Sequence, residues 1–302
     1  MAKKIFLIKT KWWFGIIPIL FSILLGYYLI NSFNQKIEKT YPESKISYQS
    51  SHAEASSSAK PTATPAASIK PVVNLPPKIS GSFGVPILTY HFVANNPNPQ
   101  DIARDSLEVT PDKFEAQMDY LSSHGYTPIS LDTLFAIFSK QTSAPAKPIV
   151  LTFDDGYIDF YTTVYPILTR FNFHAVSFIP TGLIGTSYYM NWGQIREIAQ
   201  SGLVTFEDHT VSHANLAGLS YDQALKQMTD SKNELQSQTG YPVNFIAYPY
   251  GISNSLVQQA ATVAGFVGGV GTWYGKADGI YMNMPRIKVS GYWAIEEFAS
   301  RI

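Results

Sequence analysis

The stretch Ile149-Val150-Leu151-Thr152-Phe153-Asp154-Asp155-Gly156 decides how this chain is read. A short apolar run is the pattern of a strand buried on both faces, as in a parallel sheet covered by helices. It stops at two adjacent carboxylates, which are costly beside a buried strand unless something cationic holds them. Outward from it, further candidate strands lie at Val85 to Thr89, Ala175 to Ile179, Val204 to Phe206, Phe245 to Tyr248, Phe266 to Val270 and Ile287 to Val289. Helical stretches separate them: Thr110 precedes Pro111 as a cap and first-turn proline, and Ser220 with Gln223 forms a capping-box pattern before a helix expected to end near Gly240. Seven strands interleaved with helices predict one barrel-like α/β domain over residues 83–302.

In such folds functional groups gather at the C-terminal ends of the strands. The Val204 to Phe206 run is followed by His209-Thr210-Val211-Ser212-His213, a spacing that can set two imidazoles on one side of a compact loop. Taken singly, Asp-Gly also suits a turn, and two loop histidines also suit a solvated surface. Together, Asp155, His209 and His213 make a set of two imidazoles and one carboxylate that leaves positions open for water and substrate. Asp154 then remains as a general base.

The strings Thr152-Phe153-Asp154-Asp155-Gly156, His209-Thr210-Val211-Ser212-His213 and Tyr248-Pro249-Tyr250-Gly251, in this order, resemble the first three motifs of the polysaccharide deacetylases. That is the NodB-homology domain of carbohydrate esterase family four, and the likeness covers roughly residues 83–302. The resemblance implies a distorted (β/α)7 barrel in which Asp154 is the catalytic base. It implies that Asp155, His209 and His213 bind a divalent metal, usually zinc, and that the Tyr250 backbone N–H helps hold the oxyanion.

This chain departs from the family pattern in two places. No His follows His213, so the Leu-x-His motif whose His protonates the leaving amine is missing. Instead Pro86-Ile87-Leu88-Thr89-Tyr90-His91 places a His after an early strand. This resembles the permuted branch that deacetylates poly-β-1,6-N-acetylglucosamine in biofilms, where an N-terminal His takes the acid role; a structural His packed at a strand end is the competing reading. Ala247 stands where many members carry an Arg that contacts the base. Arg286, just before the last candidate strand, is the replacement candidate, against the alternative of a surface Arg. Trp192 and Tyr248 are candidates for the substrate pocket, with core packing equally open for Trp192. His124 and His174 are read as structural. The expected reaction is metal-dependent removal of acetyl groups from N-acetylglucosamine units of an extracellular polymer. Peptidoglycan or chito-oligosaccharides are alternative substrates, and a non-catalytic carbohydrate-binding relative is the alternative of another class.

The 302 residues carry 22 Lys+Arg and 22 Asp+Glu, six His and no Cys. Neutrality argues against a globally basic nucleic-acid binder, and the lack of Cys excludes disulfides and thiolate ligands. The average hides a boundary. Residues 1–82 hold ten Lys and three Glu, a balance of +7, which leaves −7 for 83–302. Within the basic part, Trp12 to Ile30 is uncharged and follows Lys3, Lys4, Lys9 and Lys11. These 19 residues would span roughly 30 Å as a helix, so 12–30 is expected to be a transmembrane signal-anchor with 1–11 cytoplasmic. Residues 31–82, including His52 and rich in Ser, Ala and Pro, read as a flexible tether that leaves the catalytic domain outside the cell. A cleaved signal peptide, giving a secreted protein, is the rival; bulky Tyr27 to Ile30 in place of small residues argue against it.

Overall fold

A computed structural model of the chain describes residues 78–98 and 100–302. The expected membrane span and nearly all of the tether fall outside the described residues, and among the described residues no helix is long and apolar enough to cross a membrane. Seven parallel strands make up the main path of the sheet. They are β1 (Ile87–Tyr90), β2 (Pro148–Phe153), β3 (Ala175–Ile179), β4 (Val204–Asp208), β5 (Phe245–Ala247), β6 (Gly268–Val270) and β7 (Ile287–Lys288), in spatial order β6-β5-β4-β3-β2-β1-β7. A short strand, Thr127–Pro128, adds to the start of β2. The segment leading into β7 runs against the opposite end strand, β6, where Val270 bridges Met284, with Gly271 N–H donating to the Met284 carbonyl at 3.0 Å and Met284 N–H to that of Gly269 at 2.8 Å.

Side chains alternate across the sheet as a period of two requires. Ile87, Val150, Val176, Phe178, Phe245, Ala247 and Val270 fill the interior. Their neighbours Leu88, Leu151, Phe153, Ile179, Phe206 and Ile246 face the helices. Those helices are α1 (Pro111–Ser123), α3 (Tyr165–Phe171), α4 (Trp192–Gln200), α5 (Tyr221–Thr239), α6 (Ser255–Val263) and α7 (Ile295–Arg301), whereas α2 (Leu131–Phe138) packs Leu131, Leu134, Ile137 and Phe138 into the interior cluster.

Helix α5 starts at a complete capping box between Ser220 and Gln223 and stops at Gly240, whose φ of 80° is the left-handed conformation that suits glycine. Helix α1 begins at Pro111 as expected, but the Thr110 hydroxyl makes no capping bond. The expected strand Val85 to Thr89 is two strands, Ile79–Val85 and β1, separated at Pro86, which has no N–H to give to a ladder. The first of these pairs antiparallel with Ala277–Ile280, so residues 79–82 belong to the fold and not to the tether. Strand β4 runs two residues past Phe206, to Asp208, while β6 starts two residues after Phe266.

Candidate active site

Because the strands are parallel, their C-terminal ends lie on one rim, and register decides which side chains meet there. Tyr90 pairs with Phe153, so His91 and Asp154 emerge side by side. Asp208 pairs with Ile246, which brings His209 against Ala247. A cavity of about 470 Å³ opens on this rim, lined among others by His91, Asp154, Asp155, His209, His213, Tyr248 and Tyr250. The sequence had pointed to each of these seven residues. It had not pointed to Leu107, Tyr157, Thr272 and Lys288, which also line the cavity, the last from the end of β7.

Arg286 lies inside the barrel and is 1% exposed. Its Nη1 and Nη2 donate to Asp154 Oδ1 and Oδ2 at 2.8 and 2.7 Å, and its Nε donates to the Gly271 carbonyl at 2.8 Å. Thr152, one turn of the pleat below Asp154 on the same inward face, accepts from Nη1 at 3.1 Å and donates to the Leu88 carbonyl at 2.7 Å. Burial pushes the Asp154 carboxyl up, but the guanidinium beside it and its paired hydrogen bonds outweigh this and hold it well below the usual carboxylate range. His91 Nε2 stands 4.0 Å from Asp154 Oδ2. Burial lowers the His91 pKa by more than the nearby carboxylates raise it.

Asp155 Oδ1 lies 3.4 Å from His209 Nε2 and 3.3 Å from His213 Nε2. In a tetrahedral site with metal–ligand bonds of about 2.0–2.2 Å, donor atoms stand roughly 3.3–3.6 Å apart, so these spacings fit a zinc-like ion. The three donor atoms lie within 4.8 Å of one another. His209 Nδ1 is 2.7 Å from the Ala247 carbonyl, which fixes that nitrogen as an N–H donor and makes Nε2 the atom turned toward Asp155. Burial lowers the His209 pKa, but the Asp155 hydrogen bond and the charges of Asp154 and Asp155 outweigh it and leave the pKa raised; for His213 burial prevails and the pKa falls.

The rim is also where the backbone is strained. Asp155, Thr210, His213 and Tyr250 have φ of 76°, 69°, 55° and 61°, a region L-residues rarely enter. Around Tyr250 the turn's hydrogen bonds run from Gly251 N–H to the Tyr248 carbonyl and from Ile252 N–H to that of Pro249, so neither uses the Tyr250 N–H. Trp192 does not line the cavity. At the first position of α4, next to the Asn191–Gln194 capping box, it is half-buried against the helix-side core. His124 stacks on Tyr120 at the end of α1, away from the rim.

Residues 141–269 match the polysaccharide deacetylase family. YxkH of Bacillus subtilis (strain 168), which bears a polysaccharide deacetylase name, is 32% identical over 209 residues, covering 68% of this chain and 71% of that protein. The poly-beta-1,6-N-acetyl-D-glucosamine N-deacetylase of Staphylococcus aureus (strain MRSA252) is 30% identical over 175 residues, covering 52% of this chain and 60% of the relative. Among solved structures, the Streptococcus pyogenes deacetylase PplD in complex with acetate superposes with a TM-score of 0.68 at 32% identity, covering 72% of this chain and 98% of that one. With a parallel β/α sheet, the motif residues assembled on one rim and relatives of this coverage, the chain belongs to the polysaccharide deacetylase family, hydrolases of the amide bond in N-acetylated polysaccharides.

Proposed function

We propose that the protein is a metal-dependent enzyme that removes acetyl groups from N-acetylglucosamine units of an extracellular polysaccharide, poly-β-1,6-N-acetylglucosamine above all. The observation that carries this reading is the joining, in one cavity, of the Asp155–His209–His213 set to an Asp154 held ionised by Arg286. A divalent ion bound by that set supplies Lewis-acid polarisation of the acetamide carbonyl and of the attacking water. Asp154 accepts the proton that this water gives up as it attacks. The Tyr250 N–H donates to the oxygen on which negative charge develops. His91, whose Nε2 stands 4.0 Å from Asp154 Oδ2, gives a proton to the departing amine as general acid. Acetate and a glucosamine unit leave.

The preference for the β-1,6-linked polymer is supported by the relatives bearing that name and by the place of His91 early in the domain. We place the domain outside the cell on a membrane anchor at residues 12–30, on the strength of the uncharged run and its flanking lysines. The test is acetate release from defined β-1,6-linked, chitin-type and peptidoglycan oligomers, with and without chelator. Release should be greatest from the β-1,6-linked chains and stop on chelation. Asp154→Asn should keep metal and lose turnover, whereas His213→Ala should lose metal. Full activity in either variant sinks the assignment.

A further inference from the structure

The loop that carries both histidines holds two residues in the left-handed region without a glycine, Thr210 at φ 69° and His213 at φ 55°. For β-branched Thr210 this conformation persists only if surrounding bonds over-determine it. Near His209 they are plentiful. His209 N–H donates to the Ile179 carbonyl at 3.2 Å, and Thr210 N–H donates to Asp208 Oδ2 at 3.1 Å. The Thr210 carbonyl accepts from Ser231 Oγ at 3.0 Å and from Thr181 N–H at 3.1 Å. The His209 ring is fixed separately by the Ala247 carbonyl.

Past Thr210 the Val211 carbonyl still accepts from the Gly182 N–H at 2.7 Å, but the N–H groups are held differently. The N–H groups of Val211 and Ser212 both donate to a single atom, Gln227 Oε1, at 3.1 Å each, and the Ser212 hydroxyl reaches it at 3.3 Å. Gln227 sits on α5, one turn before Ser231, so one helix face grips both halves of the loop. From these contacts we infer that Gln227 is a positioning residue for His213: it orients the peptides leading to that imidazole and so sets the metal affinity, without touching metal or substrate.

The inference rests on reading Asp155, His209 and His213 as metal ligands, and the experiment separates the two claims. Zinc affinity is measured by chelator competition on the purified full chain, and hydrogen exchange of residues 210–213 is followed in metal-free protein. Gln227→Leu should weaken zinc binding about 10–100-fold, the range for partners of metal ligands, and speed exchange in the loop while leaving the melting temperature nearly unchanged. Gln227→Glu keeps an acceptor oxygen at the same reach and should restore both. Either readout unchanged in Gln227→Leu overturns the assignment, as does an equal loss in Gln227→Glu. If Gln227→Leu does not fold, Gln227→Asn, whose amide falls one methylene short, is held to the same criteria. A wild-type chain that binds no zinc overturns the metal reading instead, and loop exchange in the metal-free protein still decides the role of Gln227.

Discussion

At the scale of single residues, the pair that matters most is Asp154 and Arg286. A guanidinium 1% exposed is tolerable only because its fork meets both oxygens of a carboxylate 4% exposed and its Nε meets a backbone carbonyl. Truncating it in Arg286→Met would strand a buried charge, at a cost of about 3–5 kcal/mol in stability. The same change removes the influence that opposes burial at Asp154, so the carboxyl pKa must rise. In Arg286→Met the acid limb of the pH–rate profile should move to higher pH, with kcat falling more than KM changes; an unmoved limb would mean that Arg286 does not set the ionisation of Asp154. The sequence suggested Arg286 only through its position before a late strand. That it turns inward follows from the bridge that brings the segment before β7 against β6, a contact no local pattern records.

At the scale of elements, the end of β4 is more polar and more buried than its string Phe206-Glu207-Asp208 suggests. Glu207 Oε2 accepts from the N–H groups of Asn244 and Phe245 at 2.8 Å each, tying β4 to the start of β5, and burial still pushes its carboxyl well up. Asp208 is fully buried; its Oδ2 accepts from the Thr210 N–H, and burial pushes its pKa up to about 7. A carboxyl raised in the folded state binds its proton more tightly there than in the unfolded chain. Its contribution to stability is therefore full below about pH 4 and fades as pH rises toward about 7. Denaturant midpoints of the metal-free protein across this window should fall less steeply with pH in Asp208→Asn than in the wild type. Equal slopes would show that Asp208 does not titrate there. The strands were legible as apolar runs; the extension of β4 through two acids was not, because the bonds that make it tolerable come from residues 37 and 38 positions away, in the Asn244–Phe245 pair, or from the loop beyond.

At the scale of the whole molecule, residues 83–302 carry an excess of seven acidic over basic residues, and the cavity opens in this acidic domain. Each turnover converts a neutral acetamide into an amine that is cationic near neutral pH, so the product grows complementary to the domain as reaction proceeds. Partially deacetylated chains should inhibit more strongly at low ionic strength and lose that advantage near about 0.15 M salt, where the screening length is about 8 Å. The KM for fully acetylated chains should barely respond. Inhibition indifferent to salt would remove any role for the net charge.

What the linear chain carries is local: the alternation that marks each strand, the capping box that starts α5, and the side chains that follow each strand end. From these the seven-stranded β/α architecture and the motif residues of the rim could be read, since a residue after a parallel strand must emerge on that rim whatever lies far away in the chain. Closure of the sheet at Val270 and Met284, the pairing of Ile79–Val85 with Ala277–Ile280, the inward turn of Arg286, the helix-side packing of Trp192 and the grip of Gln227 on the histidine loop depend on contacts between distant segments. Such contacts form only when the packed core brings the partners together, and so they belong to the folded molecule.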